Sequence, residues 1–165
     1  TQGVSSAASD VYKRQVFEKR LRQAIRASAR EVQEEAQRTH RFTSKSGQLE
    51  RAIDVRMIGD KTAEVYIDND VAYYGPFVHE GTRAHEIFPK GKQVLRWVPN
   101  GGNGFVFAKR VFHRGTKPDP FLYEALDNSR EAVHDIFSKA VNVSLGEIAR
   151  NVELGTKRTE LHIKL

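Results

Sequence analysis

The stretch IDVRMIGDKTAEVYI, Ile53–Ile67, decides the fold. Ile53, Val55 and Met57 alternate with Asp54 and Arg56, and after Gly59-Asp60-Lys61 the residues Ala63, Val65 and Ile67 alternate with Glu64 and Tyr66. Successive side chains of a strand point to opposite faces, so both runs place their apolar residues on one side. The Gly-Asp-Lys break between them is a turn, and the stretch reads as a β-hairpin with one buried face. Something must cover that face.

Working outward, the cover is helical on both sides. Upstream, Phe17, Leu21, Ala24/Ile25, Ser28, Val32 and Ala36 recur at steps of three and four among Lys, Arg, Glu and Gln, and the pattern stops near Thr39–Arg41. One apolar stripe beneath a wide charged face suits a helix laid on a sheet. Its early cations (Lys19, Arg20, Arg22, Arg26) and late anions (Glu31, Glu34, Glu35) oppose the helix dipole, so packing and pairs such as Arg30–Glu34 must stabilise it. Downstream, SGQLERAI (Ser46–Ile53) leads into the hairpin, and AYYGPFVHEGT (Ala72–Thr82) leaves it as a partly helical connection. A second hairpin follows: Val94–Val98, a Pro99–Gly104 turn rich in Gly and Asn, then Phe105–Phe112. Pro118-Asp119-Pro120 stops it, and the last main helix starts near Phe121, with apolar positions recurring to Val141. A weaker helix is expected over Leu145–Val152, and the tail Glu160–Leu165, where Leu161, Ile163 and Leu165 alternate, reads either as an edge strand or as unordered chain. Strands grouped between two helices predict an α+β fold: an antiparallel sheet of about four strands, in two hairpins, flanked by a long N-terminal and a C-terminal helix. Residues 16–143 make one domain, and 144–165 a short helix and tail.

The 165 residues suffice for one real core. No apolar run approaches the roughly 20 residues of a membrane helix, so no membrane partner is expected. Zero Cys excludes a disulfide framework, a thiolate metal site and a Cys nucleophile. Lys+Arg 27 against Asp+Glu 21 leaves +6, which favours acidic partners without naming nucleic acid. The first residues lack the apolar segment of a secretory signal. Within Thr1–Gln15, SSAASDVYKRQ resembles translated sequencing-adapter read-through, so these residues are read as a non-native or disordered start and set aside. Taken instead as native, they cap the first helix at Ser9 or Asp10.

Catalytic patterns are weak. His79-Glu80 and His85-Glu86 stand six apart with Gly81 between them, unlike the four-residue spacing of a zincin helix. No G-x-S-x-G elbow is present. Gly101-Gly102-Asn103-Gly104 joins two strands, so it is a hairpin tip and not a phosphate cradle. No enzyme activity and no cofactor are expected. A local echo is more informative: FVHEGTRAHEIFP (Phe77–Pro89) and VFHRGTKPDPFLY (Val111–Tyr123) share His-x-Gly-Thr-basic, and Gly155–Lys157 carries a third Gly-Thr-Lys. Gly81 and Gly115 suit left-handed turns. Arg83, His85, Lys109, Arg110 and Lys117 are then charged contacts for a neighbouring subunit, while Pro120, Phe121 and Leu122 anchor the last helix. The hairpin Val94–Phe112 is a candidate arm into a neighbour or a ring lumen. The basic clusters Lys19, Arg20, Arg22, Arg26 and Lys109, Arg110, Arg114 offer nucleic-acid phosphates a second reading, as in a basic accessory protein, without the aromatic sheet signature of an RNA-binding fold.

Three ordered blocks, SGQLERAI (46–53), YYGPFVHEGTRAHEIFPKGKQVLRW (73–97) and VFAKRVFHRGTKPDPFLYEAL (106–126), resemble the phage tail-component family of the HK-ninety-seven type, neck proteins of long-tailed bacteriophages and prophages. The resemblance covers roughly Ser46–Leu126. Gly75-Pro76 departs from the pattern, as does everything after Asn142. It implies a non-enzymatic virion assembly protein at the head–tail joint, in tail completion or head–tail joining. The implied partners are copies of itself in a hexameric ring and other neck and tail proteins, with DNA passing close by.

Overall fold

The computed structural model describes residues 2–99 and 101–162, and the side chains of 7–99 and 101–150. The order is α1 (Gln2–Arg38), α2 (Gln48–Ala52), β1 (Ile53–Ile58), β2 (Thr62–Ile67), α3 (Gly75–His79), β3 (His85–Ile87), β4 (Leu95–Trp97), β5 (Val106–Ala108), β6 (Val111–His113), α4 (Phe121–Asn128) and α5 (Arg130–His162). The fold is α+β, with long helices at both ends and antiparallel strand pairs between them.

The first hairpin takes the register that its alternation demands, Ile53 facing Ile67 and Val55 facing Val65. It lies against α1, which also packs along α4 and α5. The core gathers Val32 and Ala36 of α1, Leu49 and Ala52 of α2, Ile53, Ala72, Phe121 and Ala125. Phe121 is fully buried, its ring edge-on to Phe42 at 5.3 Å and to His79 at 5.2 Å. Gly75 begins α3 because the chain there presses on the hairpin: a Cβ would stand 2.5 Å from Ile67 Cγ2 and 2.9 Å from Leu49 Cδ1.

Several local expectations are corrected. The strands form three separate two-stranded pairs among the described residues: β1 with β2, β3 with β6, and β4 with β5. The run Phe105–Phe112 divides into β5 and β6, because Lys109 and Arg110 carry the chain from one partner strand to another. The described start is helical from Gln2, and Ser9 and Asp10 lie inside α1 and cap nothing. Apart from Gly3, residues 2–15 contain no helix breaker, and Lys13 pairs with Asp10 one turn away at 3.1 Å. The stripe of α1 is buried from Ala24 to Ala36 and fades at the exposed Phe17. The Arg30–Glu34 pair does not form; both residues are exposed, where such a pair contributes only tenths of a kcal/mol. Arg20 pairs instead with the half-buried Glu147 and Arg22 with the exposed Asp60, and packing of the Ala24–Ala36 stripe is what holds α1.

At the other end, the single last helix is broken at Ser129 into α4 and α5, and α5 then runs through Leu145–Val152 and across the 143/144 boundary. Glu160–His162 is helical, not a strand, and residues 163–165 lie outside the described ones. The third Gly-Thr-Lys, 155–157, sits within α5 and makes no turn.

Candidate functional site

The two His-x-Gly-Thr segments meet each other. Thr82 N–H donates to Thr116 O at 2.9 Å and Thr116 N–H donates to Thr82 O at 3.1 Å, an isolated antiparallel bridge. The glycine before each threonine has positive φ, 73° at Gly81 and 89° at Gly115. Each also sits against the other segment's backbone. A Cβ on Gly81 would lie 2.7 Å from Thr116 O and 2.8 Å from Pro118 N, and one on Gly115 would overlap Thr82 O and touch Arg83 C at 3.0 Å. Gly is therefore required twice over at both corners, by dihedral and by space.

From this paired corner the chain leaves the body and returns. Thr82–Thr116, His85–His113 and Ile87–Val111 share one register; Leu95–Ala108 and Trp97–Val106 share another. Between them Phe88–Val94 on one limb faces only Lys109 and Arg110 on the other, a wide bulge. The result is a two-limbed arm, residues 82–116, rooted on Gly81 and Gly115 and longer than the expected Val94–Phe112. Its large apolar side chains are exposed: Ile87, Phe88, Val94, Trp97, Val98, Phe105, Val106, Phe107 and Phe112. It carries seven cations and one anion, Glu86, so residues 82–116 hold the chain's whole +6 and leave twenty cations and twenty anions elsewhere. The Arg96 guanidinium lies over the Phe105 ring at 4.4 Å.

The five expected contact residues all belong to the arm or its root and all are exposed. Arg83 and Lys117 flank the bridge; His85 sits in β3 with its ring 5.2 Å from that of His113; Lys109 and Arg110 stand opposite the bulge, Arg110 within 3.4 Å of Glu86. Pro120 precedes α4, Phe121 fills the core, and Leu122 lines a groove. His79 and His85 do not converge. His79 is buried between Phe121 and Tyr123 with Nδ1 3.0 Å from Glu80, and no three His, Asp or Glu side chains cluster to hold a metal ion among the described residues. In the cluster on α1, Arg20 and Arg22 are taken up by Glu147 and Asp60.

The groove was not foreseen. Of about 670 Å³, it opens between α1 (Ile25, Val32), β2 (Val65), α4 (Leu122, Leu126) and α5 (Phe137). Glu64 and Glu80 also line it, and no lysine or arginine does. Ser28 Oγ and His79 Nε2, buried on residues of its wall, make no hydrogen bond among the described residues. In the sequence Asp119 marks only a stop between Pro118 and Pro120. It is buried, and its Oδ2 accepts from the backbone N–H of Arg41 and of Phe42, both at 2.8 Å, while its own N–H donates to Val78 O at 3.0 Å. That ties the end of α1 to the start of α4 and to the arm root.

Three carboxylates are held below their ordinary range. Glu35 is lowered chiefly by the hydrogen bond from Arg38, against the opposing effect of burial, with help from Asn128. Glu147 is lowered by the hydrogen bond from Arg20. At Glu50 burial pushes upward, but hydrogen bonds from Ser44 and its own backbone together with nearby His40 and Arg51 prevail.

Comparison with protein-family models, with curated proteins and with solved structures finds no match.

Proposed function

We propose that this chain is a non-enzymatic structural subunit of a tailed-bacteriophage or prophage virion. It acts at the head–tail junction, in tail completion or head–tail joining, as a ring homo-oligomer, a hexamer by resemblance, beside other neck and tail proteins. One observation carries the reading. An arm with nine exposed large apolar residues stands on two glycine corners. Exposed apolar area of that extent marks a surface that another protein covers. The three ordered sequence blocks supply the virion context. All five expected contact residues ride on this arm or its root, where a ring subunit needs its partner-setting charges.

Light scattering on size-exclusion fractions, with electron microscopy of the purified protein, tests it. Closed rings of fixed copy number are expected. A monomer that persists at high concentration and ignores neck and tail-tube proteins overturns the proposal.

The charge of the arm favours a second reading, a basic accessory protein on nucleic acid. Each phosphate neutralised adds about 0.9 to the slope of log affinity against log salt. Duplex binding with a steep slope supports that reading, and binding that ignores salt removes it.

A further inference from the structure

The arm and the groove are complementary surfaces on one chain, and no residue of the arm, 82–116, lines the groove. We propose that the arm of one copy docks in the groove of the next. This rests on the self-assembly part of the reading above and names the contact that makes it.

Three features match. The arm exposes apolar residues on both faces of its outer ribbon, Trp97 and Val106 on one, Phe105 and Phe107 on the other. The groove is an open apolar trough of about 670 Å³, in the size range that encloses a small ligand or a few side chains. The charges are opposite: seven cations and one anion on the arm, and along the groove the exposed carboxylate of Glu80, while Glu64 is already paired with Arg56. Arg96 lies over Phe105, so a cation enters together with the ring and has the Glu80 carboxylate to meet at the wall. A nucleic-acid duplex would satisfy the cations and leave Trp97, Phe105 and Phe107 in water, whereas a protein surface takes up both.

Reach and symmetry agree. The limb Phe105–Thr116, drawn out, spans at most about 40 Å, enough to cross to a neighbour. Arm and groove are different patches, so the contact is head-to-tail, and such contacts close into a ring or run on as a filament. His79 and Glu80 of the groove directly precede the corner glycine Gly81, so each copy receives an arm beside the root of its own.

The chain has no cysteine, which makes disulfide trapping clean. Phe107→Cys on the arm and Tyr123→Cys on the groove wall both alter exposed residues. Under mild oxidation the double variant is expected to give a ladder of covalent oligomers. The two single variants co-expressed should give covalent dimers, and each alone should give none. A second variant, Phe105→Asp with Phe107→Asp, should keep the helical circular dichroism and shift the assembly to monomer. Intact rings without cross-links, or rings untouched by the aspartates, overturn this contact while leaving the ring itself standing. Wild-type monomer overturns both. Loss of DNA binding in the aspartate variant with assembly unchanged identifies nucleic acid as the occupant and also overturns the contact.

Discussion

Gly115→Ala isolates the corner on which the arm stands. The added methyl carbon overlaps Thr82 O and meets Arg83 C at 3.0 Å, and the residue must hold φ near 89°. The dihedral alone costs about 1–3 kcal/mol. Relieving the overlap means parting Thr82 from Thr116, which forfeits two backbone hydrogen bonds of about 0.5–1.5 kcal/mol each. The corner is therefore weakened by about 2–6 kcal/mol. A natural control lies in the first hairpin: Gly59 has φ 69° but open space where its Cβ would go, so Gly59→Ala bears only the dihedral cost. Hydrogen exchange is the right assay, because a peripheral arm can open without global unfolding. Exchange at the Thr82 and Thr116 amides should rise about 30-fold or more in Gly115→Ala, since 2 kcal/mol corresponds to a factor near 30. Gly59→Ala should leave those two amides unchanged. Unaltered protection at Thr82 and Thr116 in Gly115→Ala would refute the argument that the two segments brace each other.

Asp119→Ala removes the acceptor for two backbone donors and should lower stability by about 1–3 kcal/mol, read as a shift in the urea midpoint; Asp119→Asn keeps one oxygen and should recover part of it. Phe121→Ala empties the centre of the core and should cost about 3–5 kcal/mol by thermal or urea unfolding. Glu35, Glu50 and Glu147 all have folded values below the ordinary 4.5, so their stabilisation is complete above that value and is lost as pH falls through the folded ones. The urea midpoint should hold steady down to about pH 5 and drop by about pH 3, and Glu35→Gln should flatten that drop.

What the sequence made legible was local. Alternation on either side of Gly59-Asp60-Lys61 was enough to place β1 and β2 and their register, and Pro118-Asp119-Pro120 was enough to start α4. The break at Ser129 carries neither Gly nor Pro, and Gly146 inside α5 looks like a stop although a long helix tolerates it at about 1 kcal/mol. The division of Phe105–Phe112 was hidden because apolar residues sit on both sides of Lys109-Arg110, while the change of partner depends on the unequal length of the other limb. The echo of His-x-Gly-Thr was visible as a repeat, but repetition does not say that two segments more than thirty residues apart pair with each other. The groove had no local signal at all, since α1, β2, α4 and α5 each contribute only one or two turns or residues of its wall.

The partition of charge joins these observations. With 82–116 set aside the chain is balanced, and its body uses ions in pairs: Arg20 with Glu147, Arg22 with Asp60, Arg41 with Asp119 and Glu124, Arg56 with Glu64. Among the described residues only Arg110 of the arm has an acidic partner, Glu86 at 3.4 Å. A balanced body exerts little net field on a second copy, so attraction between copies falls on the arm, and its direction is set by where uncompensated carboxylate stands. Glu80 is such a group, exposed, with only the His79 ring as partner among the described residues, at the foot of the arm and the lip of the groove. Like-charged arms repel one another, which disfavours the symmetric arm-to-arm pairing that exposed strand edges otherwise invite. The same cations that draw the arm toward a neighbour's groove keep it from its own kind, and head-to-tail association is the arrangement that satisfies both conditions.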